Sequence, residues 1–188
     1  MKRPFFTISL DFELFWGMRD VATIESYGKN ILGGRNSIPK ILEIFHERNI
    51  HATWGVVGFI LFENKKELLE NLPESLPSYE NTKLNPYPDL EKIGKNEQDD
   101  PYHFGYSLVK KILDTKGMEI ASHSFSHFYC KEKNTNTDSF DSDLKASLTA
   151  LKRFGISPKS YIFCRNQYED SHLDILRQNG FKAFRGIE

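Results

Sequence analysis

Residues 118–127 read MEIASHSFSH: a short apolar run, Met118 to Ser122, empties directly into two histidines four residues apart. A strand that ends in polar groups suits a parallel α/β sheet, because such sheets gather the C-terminal ends of their strands on one functional rim. Taken alone, His123 and His127 admit two readings. They are ordinary polar residues of a loop, or two imidazoles that converge on one metal ion from a tight turn. The rest of the chain decides between them.

Working outward, apolar segments alternate with helical patterns. FFTISL (5–10) reads as a first strand. In SIPKILEIFHERN (37–49), Ile38, Ile41, Leu42 and Phe45 form a helical stripe, with Ser37 as N-cap and Pro39 in the first turn. HATWGVVG (51–58) is the second strand and MEIAS (118–122) the third. Between them, SLVKKILDTKG (107–117) is a helix with Leu108, Val109, Ile112 and Leu113 inward and Gly117 as its stop. A helix over 138–154 carries Phe140, Leu144, Leu148 and Leu151 on one face. SYIFC (160–164) is the fourth strand, SHLDILRQNG (171–180) a capped helix, and KAF (182–184) begins a fifth strand. Repeated strand–helix units predict a parallel α/β sheet, open or closed into a barrel, within one domain over 1–188. The stretch at about 63–103 departs from this rhythm. It is polar, rich in Asn, Pro, Glu and Lys, and reads as an insertion that lines or covers a site, or as a plain surface loop.

Composition narrows the class. Of 188 residues, 39% are hydrophobic and 27% charged, which is the make-up of an ordinary globular chain. The net charge is −1 with no dense basic run, which argues against nucleic acid or an anionic membrane as partner. The start MKRPFFTISLDFELFWG is basic and then apolar, but Asp11 and Glu13 interrupt it too early for a signal-peptide core. No stretch approaches the roughly 18 apolar residues of a membrane span. Cys130 and Cys164 make no disulfide framework, so reduced thiols and a cytoplasmic location are expected.

Asp11 and Glu13 follow the first strand, His123 and His127 the third, and Arg165 the fourth. Separate apolar segments therefore deliver ionisable residues to one rim. A carboxylate and two imidazoles form a three-ligand set that leaves a catalytic metal an open position for water.

At these residues the chain resembles a known family. ISLDFE (8–13), HATWGVVG (51–58), EIASHSFSH (119–127) and YIFCRNQY (161–168) are similar to successive landmarks of the polysaccharide deacetylases, the NodB-homology carbohydrate esterases, and the resemblance spans roughly residues 4–186. It implies a distorted (β/α) barrel and metal-dependent removal of acetyl groups from N-acetylated sugars. It further implies that Asp11 is the catalytic base, that His123 and His127 bind metal, that Arg165 holds the base aspartate, and that the backbone N–H of Tyr168 helps to stabilise the oxyanion. Zinc is the first choice of metal, and the ligand types also admit cobalt, nickel or iron.

Departures from the family pattern carry their own expectations. The usual adjacent aspartates are separated here by Phe12; strand alternation points Asp11 and Glu13 to the same side, so Glu13 is read as the third ligand. The alternative makes Asp11 that ligand. The Arg-x-Pro-Tyr element appears as Arg165-Asn166-Gln167-Tyr168, which loses a φ constraint and leaves an extra amide that could meet substrate. Cys164 is read as a small buried residue. Cys130 is left out of the ligand set, since a thiolate suits structural zinc better than catalysis. The later Asp/Trp segment and the Leu-x-His that supplies the general acid have no match, so the barrel is expected to be C-terminally incomplete and the chain by itself only feebly active. His103 is read as a solvated residue, with a substitute acid as the alternative. The substrate is expected to be a polysaccharide, a lipid- or nucleotide-linked sugar, or a small cyclic amide. The competing reading is a non-catalytic sugar-binding or scaffolding remnant of the fold, and a third makes these polar residues structural and metal-free. Oligomeric state is left open.

Overall fold

Five short strands, β1 (Ser9–Phe12), β2 (Ala52–Val56), β3 (Met118–Ser122), β4 (Ser160–Ile162) and β5 (Ala183–Arg185), pair in chain order, every pair parallel. The computed structural model describes residues 6–187. The strand expected over 5–10 begins at Phe5, outside the described residues; the paired segment starts at Ser9, opposite Thr53, and brings Asp11 into the sheet.

Strand alternation sorts the side chains into two faces. On one, Phe12, Trp54, Val56 and Ile120 are buried against Ile38 and Leu42 of α1 (Ile24–Glu47), Leu108, Val109 and Ile112 of α3 (Tyr106–Asp114), and Leu151 of α4 (Thr137–Lys152). Burying each large side chain contributes about 1.5–3 kcal/mol, so this layer supplies most of the driving force. The other face is polar. Glu119 accepts from Thr53 Oγ1 at 2.6 Å and from Ser160 Oγ at 2.7 Å. Arg185, on the last strand, reaches β1 and donates to Ser9 Oγ at 2.7 Å. The first and last strands of a five-stranded sheet meet in this way only if the sheet curls, so the polar face is the concave one. A closed (β/α)₈ barrel fills this space with branched apolar side chains. Here it holds hydroxyls, carboxylates and a guanidinium.

Two expectations change. The helix expected from Ser37 starts thirteen residues earlier, at Ile24, behind a Thr23–Ser26 capping box. Pro39 therefore lies inside α1, and the Ser37 hydroxyl donates back to Gly33 O instead of capping. Gly33 and Gly34 lie inside α1, and the burial of Gly28 and Ile31 carries the helix through them. The insertion is also more ordered than its composition suggests. It contains α2 (Lys65–Leu69) and two 3-10 turns, and its base is tied by an antiparallel bridge between Asn64 and Asn96. Leu68, Tyr87, Leu90 and Ile93 join the main core although they are too sparse to make a period. The last helix, α5 (Asp170–Gln178), is followed by Gly180 at φ +84°. Among the described residues no helix is long and apolar enough to cross a membrane.

Candidate metal centre

The loop after β1 turns at once into a 3-10 helix, Leu14–Gly17, which fixes Glu13. Two long-range bonds hold this turn to the end of the insertion: Phe15 N–H donates to Tyr102 O at 3.0 Å and Trp16 Nε1–H to His103 O at 2.9 Å. Gly17 leaves the space that the Glu13 carboxylate occupies, since a Cβ at Gly17 would lie 2.1 Å from Glu13 Cδ. The carboxylate is thereby aimed at the loop after β3. Its Oε2 stands 3.1 Å from His123 Nε2 and 3.0 Å from His127 Nε2.

The histidine turn is equally constrained. His123 Nδ1–H donates to Ile162 O at 2.8 Å, which leaves Nε2 as the nitrogen that faces Glu13 and would bind a metal on losing its proton. Ser124 and His127 have φ of 60° and 58°, a left-handed conformation that costs a non-glycine residue roughly 1–2 kcal/mol. Gly58 lets the turn approach β2, with its N–H on Ser124 O at 2.9 Å; a Cβ there would sit 2.7 Å from Phe125 Cα. Asp143 of α4 is fully buried beneath the turn and accepts from Phe125 N–H (2.7 Å), Ser126 N–H (3.0 Å) and Ser126 Oγ (2.5 Å).

Does this donor set suit a metal? Donor atoms around a tetrahedral ion with bonds of about 2.0–2.1 Å stand roughly 3.3 Å apart. The two contacts of Glu13 Oε2 are close to that spacing, and one imidazole already has its tautomer set for ligation. The residues fit a divalent cation of the zinc type. Asp11, Glu13 and His123 form one trio with donor atoms within 4.8 Å of one another; His123, His127 and Cys164 form a second. Cys164 is buried as expected, but its sulfur lies 3.9 Å from His123 Nδ1. Cys130 is free and buried and belongs to neither trio.

The electrostatics match. Burial would raise the Glu13 carboxyl, but hydrogen bonds and charge from His123 and His127 outweigh it and hold Glu13 well below the usual carboxylate range. Burial would lower the His127 ring, yet Cys164 and Glu13 raise it to about 9. Protons thus occupy the nitrogens a metal needs. Metal affinity should therefore fall as pH drops below about 9, approaching tenfold per pH unit for each proton displaced. Chelator competition across neutral pH measures this; affinity independent of pH would contradict it.

The base candidate has a partner that the sequence reading did not name. Arg185 Nη2 lies 2.5 and 2.6 Å from the two oxygens of Asp11. The expected pairing of Arg165 with Asp11 is not formed. Arg165 and Asn166 take φ of 50° and 55°, and this turn sends the guanidinium to Asp20, at 2.6 Å, across the face of the Tyr129 ring. Arg185 was visible as a candidate, since it ends the strand begun by KAF on the same rim. The side chain of Gln167 is engaged by Lys131 N–H and Glu132, both at 3.2 Å. The Tyr168 ring stacks on Phe163 at 5.1 Å, and its N–H donates to no backbone carbonyl among the described residues. His103 is not solvated: it is buried edge-on against Trp16 with Nδ1 2.8 Å from Asp100.

A family model for polysaccharide deacetylases matches residues 27–184. Among solved structures, a putative polysaccharide deacetylase from Mycobacterium smegmatis aligns with a TM-score of 0.58 at 15% identity, over 93% of this chain and 48% of its own. A carbohydrate esterase family 4 pseudoenzyme from Bacillus anthracis aligns at 0.53 and 14%, over 95% and 42%. A family 4 carbohydrate esterase from Streptomyces lividans, solved with acetate, aligns at 0.50 and 15%, over 94% and 60%. These likenesses establish a shared fold, and the chain spans about half the length of these structures. No curated protein matches the sequence.

Proposed function

The chain belongs to the polysaccharide deacetylase family, and from that premise we propose that it is a metal-dependent hydrolase of N-acetyl groups on a carbohydrate. The observation that carries the reading is the convergence of Glu13 Oε2 on both imidazole Nε2 atoms, beside an aspartate clamped by arginine. Glu13, His123 and His127 would hold the ion, zinc before cobalt, nickel or iron. When bound, a divalent ion of this kind supplies Lewis acidity, polarising an amide carbonyl and acidifying water.

The chain's own groups do the rest. Asp11 accepts the proton of the attacking water, and it is suited to this because a third of its side chain is open to solvent. Arg185 Nη2 contacts both oxygens of Asp11 and so fixes its rotamer. Tyr168 offers its N–H to the oxygen on which charge develops. The two buried free thiols suit a reducing compartment, and so a cytoplasmic precursor such as a lipid- or nucleotide-linked sugar.

One observation favours a second reading, sugar binding without turnover. His103, the alternative proton donor, is buried and committed to Asp100. One of the similar structures is itself described as a pseudoenzyme. Metal analysis of protein purified without a histidine tag, followed by an acetate-release assay on N-acetylglucosamine oligomers, separates the readings. The enzyme requires about one ion per chain and acetate released in step with free amine. An ion without acetate supports the binding reading, and a folded protein that takes up no ion overturns both.

A further inference from the structure

The histidine turn is an improbable backbone. Within five residues it places two non-glycine residues, Ser124 and His127, in the left-handed region, and it does so in a fully buried setting. Such a conformation persists only where its surroundings over-determine it. Two of the three residues between the histidines, Phe125 and Ser126, turn their backbone N–H groups to α4, where one carboxylate receives both of them and the Ser126 hydroxyl as well.

We propose that Asp143 is a positioning residue of this site: it receives three donors of the turn and so holds His123 and His127 in the arrangement that meets Glu13. The inference rests on reading that turn as a metal site. Among the described residues Asp143 makes no hydrogen bond to either imidazole, and it acts through the backbone that carries them. A carboxylate is the side chain that suits the task, because both of its oxygens accept and the turn offers donors only. Its burial fits the same account, since a buried carboxylate persists when its lone pairs are met by hydrogen bonds. The neighbouring polar residue on the same face of α4 provides the contrast. Ser147, one helical turn along, bonds Ser122 Oγ at 2.8 Å at the end of β3 and makes no side-chain hydrogen bond to residues 123–127 among the described residues.

Asp143→Asn tests the assignment, since the amide keeps the shape but turns one acceptor into a donor facing donors. Two readouts are needed: amide hydrogen exchange at Phe125 and Ser126 in the metal-free protein, and cobalt affinity by chelator competition. Exchange at those two amides should quicken at least tenfold while β2 and β3 stay protected, and affinity should fall about 10- to 100-fold, as when a partner behind a metal ligand is removed. Ser147→Ala should leave cobalt affinity within twofold of the parent. Unchanged exchange at both amides overturns the proposal, as does unchanged affinity in a folded variant or an equal loss in Ser147→Ala. If Asp143→Asn does not fold, Ser126→Ala removes one of the three donors and should weaken cobalt binding a few-fold; no change in affinity or exchange then overturns it. If the parent protein binds no cobalt, the metal reading fails by itself, and the exchange data still decide whether Asp143 holds the turn.

Discussion

Replacing His123 and His127 together with alanine should take the bound divalent ion from about one per chain to none, with the fold retained. Two of the three donor atoms are lost, the Nε2 atoms that meet at Glu13 Oε2, and a single carboxylate with no imidazole beside it is a weak site for a zinc-type ion. The strands and the apolar layer behind them do not involve either ring, so far-UV circular dichroism should be unchanged. The melting temperature should still fall. Both rings are buried, and their loss leaves a cavity and a half-buried Glu13 without its hydrogen-bond partners. Elemental analysis of the folded double variant is the measurement, and unchanged stoichiometry would sink the assignment of these ligands.

Asp11→Asn should leave the ion in place and lower acetate release by about 10²- to 10⁴-fold, the range attributed to a positioned general base. The amide has nearly the same shape and still offers Arg185 an oxygen, so the clamp across the concave face should survive. It cannot take a proton from water at neutral pH. The substitution also separates the two carboxylates, because Asp11, Glu13 and His123 lie close enough that either acid could serve as the ligand. Should Asp11→Asn empty the site while Glu13→Gln keeps the ion, the roles of Asp11 and Glu13 are reversed.

The strand–helix order and the sites of the two histidines were legible because periodicity and strand ends are local signals. MEIAS is strand β3 residue for residue. The start of α1 was not legible, because paired glycines look like a break until Gly28 is seen packed against Tyr102. The arginine partner of Asp11 was misread for a different reason. The family resemblance pointed to Arg165, whereas the pairing depends on how far the sheet curls, which no local pattern encodes. Asp143 lies three residues after Phe140, on the apolar face of its helix, and the apolar stripe of Phe140, Leu144, Leu148 and Leu151 gave no sign of a carboxylate's role there. The structure buries it completely.

The ion pair between Arg185 and Asp11 joins residues 174 positions apart, and it ties the chemistry to the order in which the chain assembles. Glu13, His123 and His127 are set by β1, β3, β4, α4 and the end of the insertion, without β5. Asp11 is set only when the final three-residue strand docks on β4 and the curl brings the two ends of the sheet together. A short strand held on one side is among the first elements to open in native-state fluctuations. Fraying of β5 should therefore release Asp11, the proposed base, while Glu13, His123 and His127 stay together. On the proposed assignment the molecule has two thresholds of completeness, one for holding an ion and a further one for having its proton acceptor aligned.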